Sequence, residues 1–557
     1  MIKPNLLAIA LFLLICMGNL SATTYYVDNA GGDDGNSGTS ITSAWSSLSK
    51  VNSFGFNSGD TVSFKCGDRF SGVTITGKSN ITFNSYGSGP RPVIDGQGAM
   101  DCFYFESQTN IVFNGLKIVN GGGGDIKQNI SLWNTSHVLI ESCNIDSSRG
   151  ANIHNVGIYA GGGSSYLTVR NSTLSYGEQT SGTGNLGIYI DGCDNTLMEY
   201  DTLDGNFSGI RVAMGGTSLD TSNHSANWTD NLIVRYCVIE NGKWDGIDDD
   251  GSFNAMYYYN VFINNKIEVY QFTNGDSQWQ TYSAMYAHYY NNTFIHSGSD
   301  GIFEYTPPSD ISGQVISTGL TCINNIFYNS GSNMIYHPWG TPAKEFNFDH
   351  NIWYSTAGGK WEVNGNTISE FDTWQGLGYD INGKFTDPMF INIDNGDYTL
   401  QGNSPAINSG INVGLTKDIN GTPIPSGNPD IGAHQMRLAI GGGPTGGGVK
   451  IAISVESQGG AIPKEFAIKQ NYPNPFNPTT KIDYQVPTDS KVILEVYNIA
   501  GQKVAELVNQ DLPAGFYSVN FGATSKLASG VYIYRINASD KASGKIFSDT
   551  KKMMLLK

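Results

Sequence analysis

Two short phrases alternate through the middle of the chain, and their alternation restricts the possible fold more than any other feature. The first sets a polar or small residue, a spacer and a large apolar residue in a row. It occurs as Cys143-Asn144-Ile145, Ser172-Thr173-Leu174, Asp201-Thr202-Leu203, Cys237-Val238-Ile239, Asn260-Val261-Phe262, Asn292-Thr293-Phe294, Asn325-Ile326-Phe327 and Asn351-Ile352-Trp353. The second starts on glycine and then alternates: Gly157-Ile158-Tyr159, Gly187-Ile188-Tyr189-Ile190-Asp191, Gly209-Ile210-Arg211-Val212, Gly246-Ile247-Asp248 and Gly301-Ile302-Phe303. The apolar anchors of the first phrase recur every 23 to 36 residues. That interval is one coil of a β-solenoid with loops of variable length. A single coil cannot bury its apolar face, so coils must stack. Stacking would set Asn260, Asn292, Asn325 and Asn351 in one column, an amide ladder that satisfies buried polar groups between coils. Cys143 and Cys237 share that column about 14 Å apart at one strand spacing per coil, too far for a disulfide.

The remaining totals agree with an exported all-β chain. Gly numbers 69 and Tyr 30 among 557 residues, and only 15% are charged, which suits strands joined by many turns. Residues 1–22 carry Lys3, an apolar run and Ala22, the pattern of a signal peptide. No later run is long enough to span a bilayer as a helix, so no transmembrane segment is expected. The six cysteines beyond it lack metal-finger spacing, and most of them read as buried free thiols. Residues 23–449 hold 18 Lys and Arg against 40 Asp and Glu, a net charge of −22. Such a surface repels nucleic acid, which excludes it as a partner. Residues 464–557 hold 12 against 8, a net +4.

Family resemblances sharpen these expectations. The opening Tyr25-Tyr26-Val27-Asp28, the turn-dense Gly31-Gly32-Asp33-Asp34-Gly35-Asn36 and the later Gly59-Asp60-Thr61 resemble the N-terminal ends of extracellular right-handed β-helix proteins, polysaccharide lyases among them. Ser404-Pro405-Ala406-Ile407 and Asp430-Ile431-Gly432-Ala433 are similar to the closing segments of such proteins. Asn471-Tyr472-Pro473-Asn474-Pro475-Phe476-Asn477-Pro478-Thr479-Thr480, followed by alternating strand residues and Ser529-Gly530-Val531-Tyr532, resembles the type A sorting domain of the type IX secretion system. That resemblance implies a small immunoglobulin-like β-sandwich, the type IX secretion machinery as partner, and release or surface attachment after outer-membrane export. The expected organisation is a signal peptide at 1–22, a right-handed parallel β-helix of the pectate-lyase-like superfamily at 23–436, a Gly-rich linker at 437–463 and the sorting domain at 464–557.

Chemistry is expected on the Gly-initiated strands, because alternate residues of stacked strands point outward in columns. With Ile158, Ile188, Ile210, Ile247 and Ile267 inward, one outward column reads Tyr159, Tyr189, Arg211, Asp248 and Glu268. A second reads Gly161, Asp191, Ala213, Asp250 and Tyr270, and Glu304, Tyr336 and His337 extend the surface. Sugar rings stack on aromatic faces and their hydroxyls bond carboxylates, so the substrate-binding set is Tyr159, Tyr189, Asp191, Tyr270, Glu304, Tyr336 and His337, and the partner an extracellular polysaccharide. Strict alternation would turn Asp249 inward, where an unpaired charge is costly, so either the strand ends there or a partner exists.

The run Asp245-Gly246-Ile247-Asp248 resembles part of the calcium motif of family 9 pectate lyases, and also one piece of the polygalacturonase signature. The lyase resemblance implies calcium on Asp245, Asp248 and Asp250. Asn291-Asn292-Thr293-Phe294 is similar to a stretch of family 6 alginate and chondroitin lyases, with Phe303-Glu304-Tyr305 where that family carries its catalytic arginine. Paired carboxylates on neighbouring coils suit glycoside hydrolysis. Asp248, Glu268 and Asp250 are the candidate acid, nucleophile or base, with Arg211 as orienter. The alternatives are a calcium-dependent lyase of uronate polymers, with Lys266, His288 or a tyrosine as base, and a non-catalytic glycan-binding surface protein.

Overall fold

A computed structural model describes residues 22–435 and 465–555, apart from 123–126, 148–154, 177–184, 206–207, 214–228, 273–285, 297–300, 307–318, 330, 337–345, 364–365, 426, 472–473, 475, 477–478, 489, 500, 513–514, 523–528 and 542–544. The expected signal peptide and Gly-rich linker therefore lie outside the described residues, save Ala22. Two compact units divide the chain, one holding 1–415 with 425–436 and the other 416–424 with 437–557.

The first unit is a right-handed parallel β-helix, with three sheets of 12 strands among the described residues. The first sheet runs from Thr24–Val27 to Asn347–Asp349, the second from Arg69–Ser71 to Lys384–Phe385, and the third from Ile75–Thr76 to Asn366–Ile368. Each coil gives one strand to each sheet, as Lys127–Trp133, Ser136–Glu141 and Asn144–Ser147 do. Asparagines stand at many corners because their side chain tolerates the left-handed backbone: Asn80, Asn110, Asn195, Asn231 and Asn254 all have φ between 54° and 58°. The third sheet ends differently, with Lys360–Val363 pairing antiparallel to Asn366–Ile368.

Stacking places like residues on like. The anchors Phe262, Phe294, Phe327 and Trp353 form a continuous interior stack with ring centroids 4.7, 5.0 and 4.0 Å apart. Beside it runs the amide ladder. Asn260, Asn292 and Asn325 each donate their backbone N–H to the side-chain oxygen of the next Asn, at 3.0, 2.9 and 2.8 Å. Asp380 ends the ladder, accepting the backbone and side-chain N–H groups of Asn351 at 3.1 and 3.0 Å. A carboxylate suits that place, since the last member only has to accept. Toward the N-terminus the column continues with other residues: the backbone N–H of Ser172 bonds Asp201 at 2.8 Å, and that of Cys237 bonds Asn260 at 3.0 Å. Cys66 is half-buried, the other five described cysteines are buried, and all six are free.

After the last coil the chain turns back along the outer face of the second sheet. Phe390, Leu400, Ala406 and Ile431 cover Ile295, Ile326 and Ile352 there. The second unit is a β-sandwich with all its named strands paired antiparallel. Ala467–Ile468, Thr479–Val486 and Gly515–Gly522 form one sheet, and Lys503–Leu512, Ser490–Asn498, Gly530–Asp540 and Ile546–Leu555 the other. Two asparagines of its opening motif pin the entry: Asn471 donates to Thr480 Oγ1, and Asn474 Oδ1 accepts the backbone N–H of Met554, both at 2.8 Å. Among the described residues no helix is long and apolar enough to cross a membrane.

Candidate active site

The third sheet carries the candidate residues, and glycine sets their register. A Cβ on Gly187, Gly209 or Gly246 would lie 2.2, 2.7 or 2.6 Å from the carbonyl oxygen of the residue one coil on. Only glycine lets adjacent coils close at this corner. From it the strands run outward in the columns expected for four coils: Tyr159 pairs with Tyr189, Tyr189 with Arg211, and Arg211 with Asp248.

The next coil departs from expectation. Asp248 pairs with Tyr270, and Ile247 with Val269. Val269 is thus the inward counterpart of Ile247 in place of Ile267, and Glu268 takes the register place of Gly246. Glu268 is 0% exposed, bonded to the Asn265 side chain and 3.2 Å from His296 Nδ1. Burial pushes its carboxyl above the usual range, with His296 opposing. It does not meet Asp248 in the groove. A shift of two residues keeps every side chain on its face, so alternation alone could not reveal it. Tyr270 accordingly belongs beside Asp248, not beside Asp250. The column continues as Glu304 and Tyr336. His337 lies outside the described residues, and of Tyr336 only the backbone is described.

What meets on the outer face of the third sheet is a guanidinium among carboxyls. Arg211 places Nη2 3.4 Å from Asp250 Oδ2 and Nε 3.7 Å from Asp248 Oδ2, with its guanidinium 5.6 Å from the Tyr189 ring centre. Burial works against the Arg211 charge, but Asp248 and Asp250 outweigh it and hold its pKa above the ordinary value. Burial raises the Asp248 carboxyl while Arg211 pulls it down. Asp250 is held well above the usual carboxylate range by burial and by the Asp248 charge, with Arg211 opposing. Asp245 is also pushed well up, by burial and then by Asp248, Asp250 and Glu304. Its Oδ2 accepts from Ser208 Oγ at 3.4 Å, while its Oδ1 and that of Asp250 have no protein partner. Between the two carboxyls at Arg211, Asp248 is therefore the better placed to lose its proton and Asp250 to keep it.

Asp249 points inward as alternation requires, 0% exposed. Its partners are the Ser252 backbone and hydroxyl at 3.0 and 2.7 Å and the Tyr257 hydroxyl at 2.8 Å. The third carboxylate of the run is thus structural. The expected calcium set is Asp245, Asp248 and Asp250. The guanidinium lies between Asp248 and Asp250, and among the described residues no three His, Cys, Asp or Glu side chains are arranged to hold a metal ion.

Aromatic residues continue the outer face of the third sheet toward the N-terminus. Tyr159 is 2% exposed and gives its hydroxyl to Asp191 at 2.8 Å, which leaves it little surface for a sugar. Burial raises Asp191, opposed by Tyr159 and Arg211. Tyr189, more open, is pushed up to about 12, mostly by burial. Trp133, absent from the expected set, lies with its ring centre 4.7 Å from that of Tyr159. Sequence reasoning missed it because its strand lacks the Gly-Ile-Tyr phrase; Trp133-Asn134 before a polar turn was the available signal.

Two family models match parts of the chain. Residues 130–294 match the family described as right handed beta helix region, and residues 470–548 the secretion system C-terminal sorting domain. A lacto-N-biosidase of Bifidobacterium longum subsp. longum is 38% identical over 89 residues, 14% of this chain and 6% of that protein's length. Among solved structures, the Streptococcus pneumoniae surface adhesin PfbA is similar with a TM-score of 0.42 and 13% identity, over 55% of this chain and 81% of that one. The GH136 lacto-N-biosidase from Eubacterium ramulus gives 0.36 and 15%, over 60% and 64%. The sorting domain makes the protein a cargo of type IX secretion, released or attached at the cell surface after outer-membrane export.

Proposed function

We propose that the protein is an extracellular glycoside hydrolase cleaving a polysaccharide in the groove of the third sheet. Asp250 is the general acid, Asp248 the nucleophile or base, and Arg211 holds the two apart in protonation. The observation that carries this reading is the single guanidinium shared by two outward carboxyls with unlike surroundings. Hydrolysis needs one carboxyl that keeps its proton and one that has lost it. Export to the cell exterior supports a polysaccharide substrate, and the short segment shared with a lacto-N-biosidase agrees with glycan chemistry. Glu268, enclosed with Asn265 and His296, takes no direct part.

The test is a panel of polysaccharides incubated with purified protein, reading new reducing ends and ultraviolet absorbance of unsaturated products. Asp248→Asn and Asp250→Asn should each lower the rate by at least about a hundredfold. Unsaturated products lost on chelation would instead identify the calcium-dependent lyase. Binding with no new ends would identify a glycan-binding surface protein.

A further inference from the structure

Trp133 stands in the second outward column of the third sheet, where Trp133 pairs with Gly161, Gly161 with Asp191, and Asp191 with Ala213. Asp250 follows, since Val212 pairs with Asp249. Four coils therefore separate Trp133 from the carboxyl pair, about 19 Å at one strand spacing per coil. The indole is 37% exposed, as Trp244 is at 39%, whereas Trp45, Trp353, Trp361 and Trp374 are interior. It is also fixed in place. Its Nε1 donates to Ser131 Oγ at 3.1 Å, and its ring leans on Tyr159. Two glycines clear its surroundings. A Cβ on Gly161 would lie 2.4 Å from the Tyr159 hydroxyl, and one on Gly162 3.0 Å from the Trp133 ring. A rigid aromatic face held open to solvent is what stacking on a sugar ring requires, because little side-chain freedom is left to lose on binding.

Charge decides which sugars can lie between. Asp191, Asp245, Asp248, Asp250 and Glu304 act on one another or on the single Arg211, whose charge is already engaged by two of them. Residues 23–449 carry a net charge of −22, so a uronate or sulfated chain would meet this surface against like charge.

We infer that Trp133 is the stacking platform of a distal subsite for an uncharged glycan laid along the solenoid axis, with about one sugar per coil between it and the carboxyl pair. This rests on the proposed cleavage site for its direction but is read by binding alone. Affinity electrophoresis of the full-length protein in gels containing xylan, galactan or poly-N-acetyllactosamine, against polygalacturonate and alginate, should show retardation by a neutral glycan only. On that glycan, Trp133→Ala should weaken binding about tenfold or more, Trp133→Phe should largely preserve it, and Tyr166→Ala, at an exposed corner, should leave it unchanged. Oligomers of six sugars should feel the Trp133→Ala change and those of two should not. Equal binding by Trp133→Ala, retardation by the acidic glycans, or none by any neutral one overturns the inference. Binding that follows this pattern without cleavage would leave it standing and remove the hydrolase.

Discussion

At the residue scale, the three consecutive aspartates divide their labour by direction. Asp249→Asn keeps the inward contacts nearly intact, because the Ser252 and Tyr257 hydroxyls can each reverse their bonds. It should retain activity where Asp248→Asn loses it. Asp249→Ala strands the buried Tyr257 hydroxyl and should lower stability by about 1–3 kcal/mol in denaturant unfolding. The pH profile follows from the same neighbours. Asp250 must keep its proton, so the rate falls as pH rises through its raised pKa; Asp248 must lose one, so the rate falls again in acid. Arg211→Gln removes what pulls the Asp248 pKa down, so the acid limb should move to higher pH, a shift that a purely structural lesion would not produce. Alternation made the inward turn of Asp249 legible. It left the place of Glu268 illegible, because slipping by two residues preserves the pattern while exchanging one neighbour for another.

At the element scale, the amide ladder was readable because four asparagines recur at a fixed offset from their apolar anchors. Its end on Asp380 was not, since that residue lies beyond the last repeat of the phrase. Asn292→Leu would orphan the Asn260 backbone N–H and the Tyr257 carbonyl within the stack. At about 1–3 kcal/mol for each buried group left unpaired, thermal unfolding should shift down by several degrees. The glycine corner is equally exacting. Gly209→Ala forces a Cβ to 2.7 Å from the Gly246 carbonyl and displaces the strand that presents Arg211. That variant should lose both stability and turnover, measured by melting and by reducing ends.

For the molecule as a whole, the motif at 471–480 and the repeating phrases showed in advance that two kinds of β structure follow one another. How far the helix tail doubles back was hidden, because its contacts reach far along the chain, as Asn291 with Asp430 shows across 139 residues. Acid should strengthen this fold before it weakens it. Burial pushes Asp101 and Asp380 up to about 6, against about 3.9 in an unfolded chain. Between those values the folded chain binds more protons, so stability should rise as pH falls from about 6 toward 4 and be lower above about 6. Thermal melts across that range check the sign.

The thiols of the described residues remain unspent. No covalent staple holds one coil to another, so cohesion rests on contact between neighbours alone. A reducing cytoplasm is therefore as hospitable to the solenoid as the world outside the cell, and its maturation need wait for no oxidant.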